Sequence, residues 1–402
     1  MLPRLQKLLA HKRLAHIWHD RSIRDAFFVF LLTRILIFVI FIFVGQLRVV
    51  TIPDSPNNRQ EAFVSLDHVP IARKLRETIW RGDVAYYMDI SRDGYLRQPF
   101  DLENGRSMKY AFFPLHPLLL WLLGHITKDV LLWGAALSNL FFFFALVLLH
   151  KLTLAFGYEE SIARRTIFYL AAFPVSYFFS VPVTESLFVL VTVASFYAAK
   201  RERWWLAGVI GLLASATRVT GVFLLPALLV FNWQMYRSLQ LKKILGLFLI
   251  PFGLFAYMFY SWWLSGNAWA FRDAVGYWGR KPSFFLSGIV KYLIHPHQVI
   301  EPWNFNLLNV ASALLCFVSI YILIRRREWA LAFYTFVSIF LALSSNLMQS
   351  VDRYTMGFFP VFMGLAIVAR GEKLDQSIRY VFITTLGIMT ALYAANYTIA
   401  VS

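Results

Sequence analysis

Apolar runs of roughly 17 to 25 residues recur along this chain from about residue 26 to its C-terminus, and each is long enough to cross a hydrocarbon core about 30 Å thick. Inside lipid every backbone N–H and C=O must be satisfied within the protein, which leaves only helices and closed barrels as spanning structures. Composition sides with helices. Of the 402 residues, 59% are hydrophobic and 15% charged, and the mean hydropathy is +0.58. A soluble domain carries about 25% charged residues. Strand alternation with hairpin signals is absent, which argues against a β-barrel. The expected class is all-α, a polytopic transmembrane helical bundle of about 11 spans. No internal repeat or low-complexity linker divides residues 1–402, so a single integral membrane domain is expected.

The formal net charge of +17 would point to nucleic acid in a soluble protein. Here the basic residues fall in short loops between spans rather than on one face. The positive-inside rule accounts for them, and no nucleic-acid partner is expected. The single cysteine, Cys316, lies in an apolar run, so no internal disulfide can form. Arg4, Lys7, Lys12, Arg13, Arg21 and Arg24 precede the first run, about 26–46. That run is too long for a signal-peptide core and lacks a small-residue cleavage site. It reads as a retained first span, with residues 1–25 as a cytoplasmic basic N-terminus.

Basic clusters orient the remainder. His150–Lys151, Arg164–Arg165, Lys200–Arg203, Arg237–Lys243 and Arg325–Arg327 are placed inside. They agree only if residues 112–127, with Pro114 and Pro117, lie in the interface or re-enter without crossing. Spans are expected near 130–150, 163–182, 184–199, 243–264, 305–324, 329–345, 355–370 and 377–397. Trp204–Trp233 is expected to make two short crossings that turn at Thr217–Arg218. The segments left outside are long and aromatic. A first outer loop, 47–112, bears interfacial helices, and a second covers 266–304. Any chemistry is therefore expected on the outer, non-cytoplasmic face.

Three aspartates stand in WRGDVAYYMDISRDGY, residues 80–95. Projected at 100° per residue, Trp80, Asp83, Val84, Tyr87, Ile90, Ser91 and Gly94 share one arc. Asp89, Arg92 and Asp93 lie opposite, as a solvated charged face. Asp83 falls among aromatics. Burying a lone carboxylate is costly unless it is paired or working, and desolvation moves it toward the range of a general base. Arg218 sits between two apolar half-helices, and an intramembrane arginine is a site candidate suited to phosphate; Arg34 in the first span invites the same argument. Glu185, after Pro182 and Thr184, begins a span, where it is either a helix-end acid capped by Thr184 or a wall of the site. His116, Lys109, Trp278 and the Asp352–Arg353–Tyr354 triplet are further candidates, and Arg272, Asp273 and Arg280 lie in the aromatic second loop. No Walker loop, dinucleotide fingerprint, zinc-ligand spacing or Ser-His-Asp pattern is present.

These stretches together resemble the PIG-V family, the GPI mannosyltransferase 2 type, within the GT-C superfamily of membrane glycosyltransferases. The resemblance is carried by Asp83-Val84-Ala85-Tyr86-Tyr87 with Ile90 and Gly94-Tyr95, and by Phe112-Phe113-Pro114-Leu115-His116-Pro117. Tyr177-Phe178-Phe179 with Thr184-Glu185-Ser186-Leu187-Phe188, Thr217-Arg218 with Gly221, and Arg353-Tyr354 with Phe359-Pro360 complete it. The family usually has an aromatic directly before the motif aspartate, where this chain has Gly82. The resemblance implies a GT-C type bundle that moves a sugar, mannose by analogy, from a polyprenyl- or dolichyl-phosphate donor to a glycan or glycolipid acceptor with inversion. Asp83 would be the catalytic base. Arg218, Lys109 and Arg353 would meet the donor phosphate. Tyr86, Tyr87, His116, Glu185, Trp278 and Tyr354 would line the substrate site. A lipid monophosphate leaving group opposed by arginines needs no metal, and neither metal nor cofactor is expected. The membrane would be the plasma membrane of a bacterium or the endoplasmic reticulum of a eukaryote, and a partner subunit, as occurs in this family, is left open. The alternative of a different class is a transporter or flippase for a lipid-linked saccharide, which would also need intramembrane Arg and Glu.

Overall fold

The computed structural model describes residues 20–44, 47–51, 61–65, 70–103, 105–294 and 306–396. Most of the basic N-terminus, parts of the first long loop and the end of the second lie outside the described residues. The described chain is overwhelmingly helical. Among the described residues, six stretches are long and apolar enough to cross a membrane: Arg21–Val44, Val130–Ala155, Val219–Tyr236, Leu241–Ser265, Leu307–Arg325 and Glu372–Ala394.

The first helix, α1 (Arg21–Val44), is followed by one short antiparallel pair in an otherwise all-helical bundle of the expected class: β1 (Leu47–Thr51) and β2 (Glu61–Ser65), in register from Leu47 opposite Ser65 to Thr51 opposite Glu61. Val49, Val50 and Thr51 favour strand, but a five-residue run is too short to show as alternation beside the spans. Two short helices come next, α2 (Ile71–Ile79) and α3 (Asp83–Asp93). Gly82 separates them at φ 52°, ψ −129°, backbone that a residue with a Cβ adopts only under strain. This corrects the single helical arc drawn through Trp80. That residue ends α2 and is exposed, and the helix bearing Asp83 begins after the break. Within α3 the projected face is buried at Val84, Tyr87, Ile90 and Ser91.

After a 3-10 turn (Arg106–Ala111), α4 (Leu115–Gly124) has ten residues, about 15 Å of helix and too short to cross alone. α5 (Val130–Ala155) is long and starts at Asp129, whose side chain accepts from the Leu132 amide. α6 (Glu160–Ala171) stops well short of the expected span to 182, because Pro174 cannot continue a helix. A wholly buried connection, 172–184, leads into α7 (Glu185–Lys200). A helix apolar on all sides belongs in the middle of its bundle. α7 accordingly packs between α5 and α8 (Trp204–Thr217).

Arg34 is what makes the buried connection tolerable. Its Nη1 donates to the Ser176 carbonyl (2.9 Å) and Ser180 Oγ (3.0 Å), and its Nη2 to the Ala171 carbonyl (3.1 Å) and Ser176 Oγ (2.7 Å). A guanidinium thus satisfies backbone groups that a helix would have paired internally. Arg34 is therefore a structural donor, not a ligand contact.

The expected two half-length helices and their turn are present. α8 ends at Thr217, Arg218 is extended (φ −153°, ψ 148°), and a 3-10 turn (Val219–Phe223) leads into α9 (Leu224–Tyr236). The turn is tight: a Cβ at Gly221 would lie 2.3 Å from the Ala214 carbonyl oxygen. α10 (Leu241–Ile244) and α11 (Phe252–Ser265) are joined through a 3-10 turn and Pro251. The second long loop holds α12 (Ala270–Asp273), a 3-10 turn (Ala274–Trp278) and α13 (Ser287–Ile294). α14 (Asn306–Arg325), α15 (Trp329–Leu343), α16 (Val351–Met356), α17 (Phe359–Val368) and α18 (Glu372–Ala394) complete the bundle, with α18 returning to pack on α1.

Candidate active site

Two carboxylates, Asp83 and Glu185, occupy the first positions of α3 and α7, where unpaired N–H groups favour negative charge. The extended backbone at the end of α8 projects Arg218, and α16 supplies Arg353. These four residues, far apart in sequence, form one chain of alternating charge. Arg353 Nη1 donates to Asp83 Oδ2, its Nε donates to Glu185 Oε1 at 2.5 Å, and Arg218 Nη1 lies 3.3 Å from the same Glu185 oxygen. Burial grades along the chain. The Glu185 side chain is 0% exposed and Arg353 5%, against 17% for Arg218 and 30% for Asp83. Glu185 is thus the buried counter-ion and Asp83 the member that faces open space.

That space is a cavity of about 580 Å³. Asp83, Arg218, Arg280 and Arg353 supply its charged walls. Its aromatic wall is layered: Tyr86 stacks on Phe112 (ring centroids 4.7 Å, 16° between planes), and Trp278 stands edge-on to both at 6.0 Å. Burial pushes the Tyr86 phenol above its ordinary range, so it stays neutral and can act only as a neutral hydrogen-bonding group or a flat apolar surface. A larger groove of about 890 Å³ lies elsewhere, against Trp233, Trp329, Phe333 and Phe336, and has no titratable side chain among its lining residues.

The remaining expected residues fall in three places. Tyr87, Trp278 and Tyr354 line the cavity with Tyr86. Glu185 and His116 stand behind it: His116 is fully buried and edge-on to the Tyr87 ring (5.4 Å), so it backs the wall rather than forming it. Thr184 does not cap α7; its hydroxyl lies 3.2 Å from the Tyr87 hydroxyl. Lys109 is not among the cavity-lining residues. Its Nζ lies 3.7 Å from Asp89 Oδ2, on the charged face where Arg92 also contacts Asp93 at 2.8 Å. The expected separation of Asp83 from Asp89 and Asp93 is therefore reproduced in space, and Lys109 goes with the latter pair.

Arg280 belongs to the cavity, although nothing in its local pattern separates it from the other charges of its loop. Its Nη1 donates to the Tyr354 hydroxyl (2.9 Å), and its Nε and Nη2 to the Gln349 side chain and carbonyl (3.2 and 2.8 Å). The signal available in sequence was YWGR, an arginine directly after an aromatic pair and a glycine. Among the described residues the one three-ligand grouping of metal-binding type, Asp25, His150 and Glu160, is remote from this cavity. Two of its carboxylates already hold arginines, Arg164 at 2.6 Å and Arg21 at 3.1 Å.

No protein-family model and no curated protein matches this chain. Three crystal structures of the Archaeoglobus fulgidus oligosaccharyltransferase are similar to it. The form tethered through a disulfide to an acceptor peptide containing the NVT sequon aligns with 95% of this chain and 56% of its own, at 12% identity and TM-score 0.48. The apo form aligns with 90% and 54% at 14% identity and TM-score 0.42, and the complex with Zn and sulfate with 89% and 53% at 13% identity and TM-score 0.47. The chain spans about half the length of the structures it matches.

Proposed function

We propose that this chain is a membrane glycosyltransferase of the GT-C type, which moves a sugar from a polyprenyl- or dolichyl-phosphate donor to a glycan or glycolipid acceptor on the non-cytoplasmic face, with inversion. Mannose is the sugar that the sequence resemblance favours. The observation that carries the proposal is one cavity in which a half-open carboxylate, Asp83, faces three guanidiniums beside a wall of aromatic rings. Flat apolar faces suit a sugar ring, and planar forks suit a phosphate.

Charge balance supports the same reaction. Arg218, Arg280 and Arg353 face Asp83 and Glu185, which leaves a surplus of one positive charge, three against two. A lipid phosphodiester carries one negative charge. In the reaction an acceptor oxygen forms a bond to the anomeric carbon. The anomeric carbon–oxygen bond to phosphate breaks, with its electron pair going to the lipid phosphate, and the acceptor proton goes to Asp83. Neutralising Asp83 raises the site's surplus to two as the leaving phosphate gains its second negative charge. The guanidiniums thus stabilise charge where it develops, the positioned-cation effect.

Asp83 is paired with Arg353 before substrate binds. A donor phosphate competing for Arg353 would release the Asp83 carboxylate toward the acceptor hydroxyl. The test is transfer by purified protein in nanodiscs, with polyprenyl-phosphate mannose and mannosyl glycolipid acceptors, wild type beside Asp83→Asn. Transfer by the wild type and a loss of about 10²-fold or more in Asp83→Asn is expected. Equal transfer by both would remove Asp83 from the base role. Movement of lipid-linked saccharide across the bilayer with no transfer would replace the transferase by a flippase.

A further inference from the structure

We propose that Arg280 and Arg218, set around the Tyr354 ring, form a dedicated phosphate seat in this cavity, and that its ligand is the phosphate of a membrane-held polyprenyl lipid. The proposal rests on the donor class assigned above and names the atoms that hold it. It also replaces Lys109 with Arg280.

The argument begins with what each arginine already binds. Arg353 spends its charge on two carboxylates and Arg218 on one. Arg280 has no carboxylate partner among the described residues; its contacts are Tyr354 and Gln349, all neutral oxygens. A guanidinium has five N–H donors, so these three contacts leave two unspent. Two donors on one planar fork are what a phosphate takes in a bidentate contact. Arg218 is nearby: its guanidinium carbon lies 5.2 Å from the Tyr354 ring centroid, and that of Arg280 lies 5.6 Å from the same point. Two cations around one ring, with one half-neutralised and the other not at all, repel each other until an anion joins them. Arg280 also holds the Tyr354 phenol below its ordinary range, a local sign of the same unneutralised charge.

The seat is built rather than fortuitous. Gly279 turns the chain at φ 72°, and Pro282 pairs with Ser345 as an isolated bridge. On either side, the Lys281 amide donates to Asn346 Oδ1 (2.6 Å), the Asn346 amide to the Lys281 carbonyl (3.1 Å) and the Ser283 amide to the Ser344 carbonyl (3.2 Å). The residues that hold Arg280's backbone thus run straight on to Gln349, which orients its side chain. Arg272, eight residues earlier in the same loop, is by contrast exposed and paired with its neighbour Asp273 at 2.9 Å.

The experiment measures binding, not turnover. Polyprenyl phosphate is titrated into nanodiscs holding wild type, Arg280→Gln, Arg280→Lys or Arg272→Gln, with Trp278 fluorescence and native mass spectrometry as readouts. Inorganic phosphate is titrated in parallel. Wild type and Arg272→Gln should bind the lipid alike. Arg280→Gln should bind at least about tenfold more weakly, as loss of a charged bidentate contact requires. Arg280→Lys keeps the charge without the fork, folds if the charge alone is structural, and should also bind more weakly. Undiminished lipid binding by both Arg280 variants would overturn the seat while leaving transfer through Asp83 standing. Arg280-dependent binding without any transfer by the wild type would uphold the seat and overturn the transferase reading. Inorganic phosphate binding as tightly as the lipid would overturn the lipid as ligand.

Discussion

Arg353 holds two carboxylates that differ in exposure, and the difference makes a quantitative prediction. Glu185 is 0% exposed and bridges Arg353 and Arg218, whereas Asp83 is 30% exposed and touches Arg353 alone. Glu185→Gln keeps the volume and removes the charge, leaving two cations with no buried counter-ion. Breaking a buried pair from one side costs about 3–5 kcal/mol. Asp83→Asn removes the partner that open space can replace, and a pair this accessible is worth about 1 kcal/mol or less. Unfolding free energies in mixed detergent micelles should therefore rank wild type, then Asp83→Asn close behind, then Glu185→Gln well below. Transfer assays should invert that order of tolerance: Asp83→Asn should be inactive although nearly as stable as the wild type. If Asp83→Asn loses as much stability as Glu185→Gln, the pair with Arg353 is a structural clamp and Asp83 is not held ready for chemistry.

Three further outcomes follow from the geometry. Gly221→Ala puts a methyl group 2.3 Å from the Ala214 carbonyl oxygen, so the turn must open; about 1–3 kcal/mol of stability should be lost, and turnover should fall about 10²-fold as Arg218 shifts. Arg34→Lys keeps a positive charge but replaces a fork that spans Ser176, Ser180 and Ala171 by one point donor; a loss of about 1–3 kcal/mol is expected in thermal unfolding, with reduced donor binding because the 172–184 connection leads directly into Glu185 at the start of α7. Burial raises Asp352 from 3.8 to about 6 in the folded protein. The folded state therefore holds this proton more tightly than the unfolded one, so the contribution is full below about pH 4 and is lost as pH rises through 6. Asp352→Asn should flatten that part of the stability–pH curve.

Helices with long apolar runs were legible because length against bilayer thickness is a one-dimensional test. The run at 130–150 became α5, and the turn at Thr217–Arg218 fell where the polar pair interrupts two half-helices. The inequality of the three aspartates was also legible, since it needs only the 3.6-residue period. What the period could not show was where the helix begins. Gly82 takes Trp80 off the arc, and the aromatic expected before Asp83 is absent because that position must reverse the chain. Pairings across long separations were illegible for a different reason. Asp83 and Arg353 are 270 positions apart, and local pattern carries no information about which arginine will meet which acid. Nor does local pattern foretell the acceptors that separate Arg34, Arg218, Arg280 and Arg353: backbone carbonyls and hydroxyls, one carboxylate, neutral oxygens and two carboxylates.

That difference has an electrostatic consequence at Arg34. Carbonyl and hydroxyl dipoles solvate a charge without cancelling it. Every acceptor of Arg34 is such a dipole, and among the described residues no carboxylate contacts it. Its full monopole therefore persists inside the bundle, behind the connection that ends at Glu185. In a low-dielectric interior a monopole reaches much farther than the dipoles that screen it at close range. The interior of the bundle thus holds a cation that is not among the residues lining the cavity.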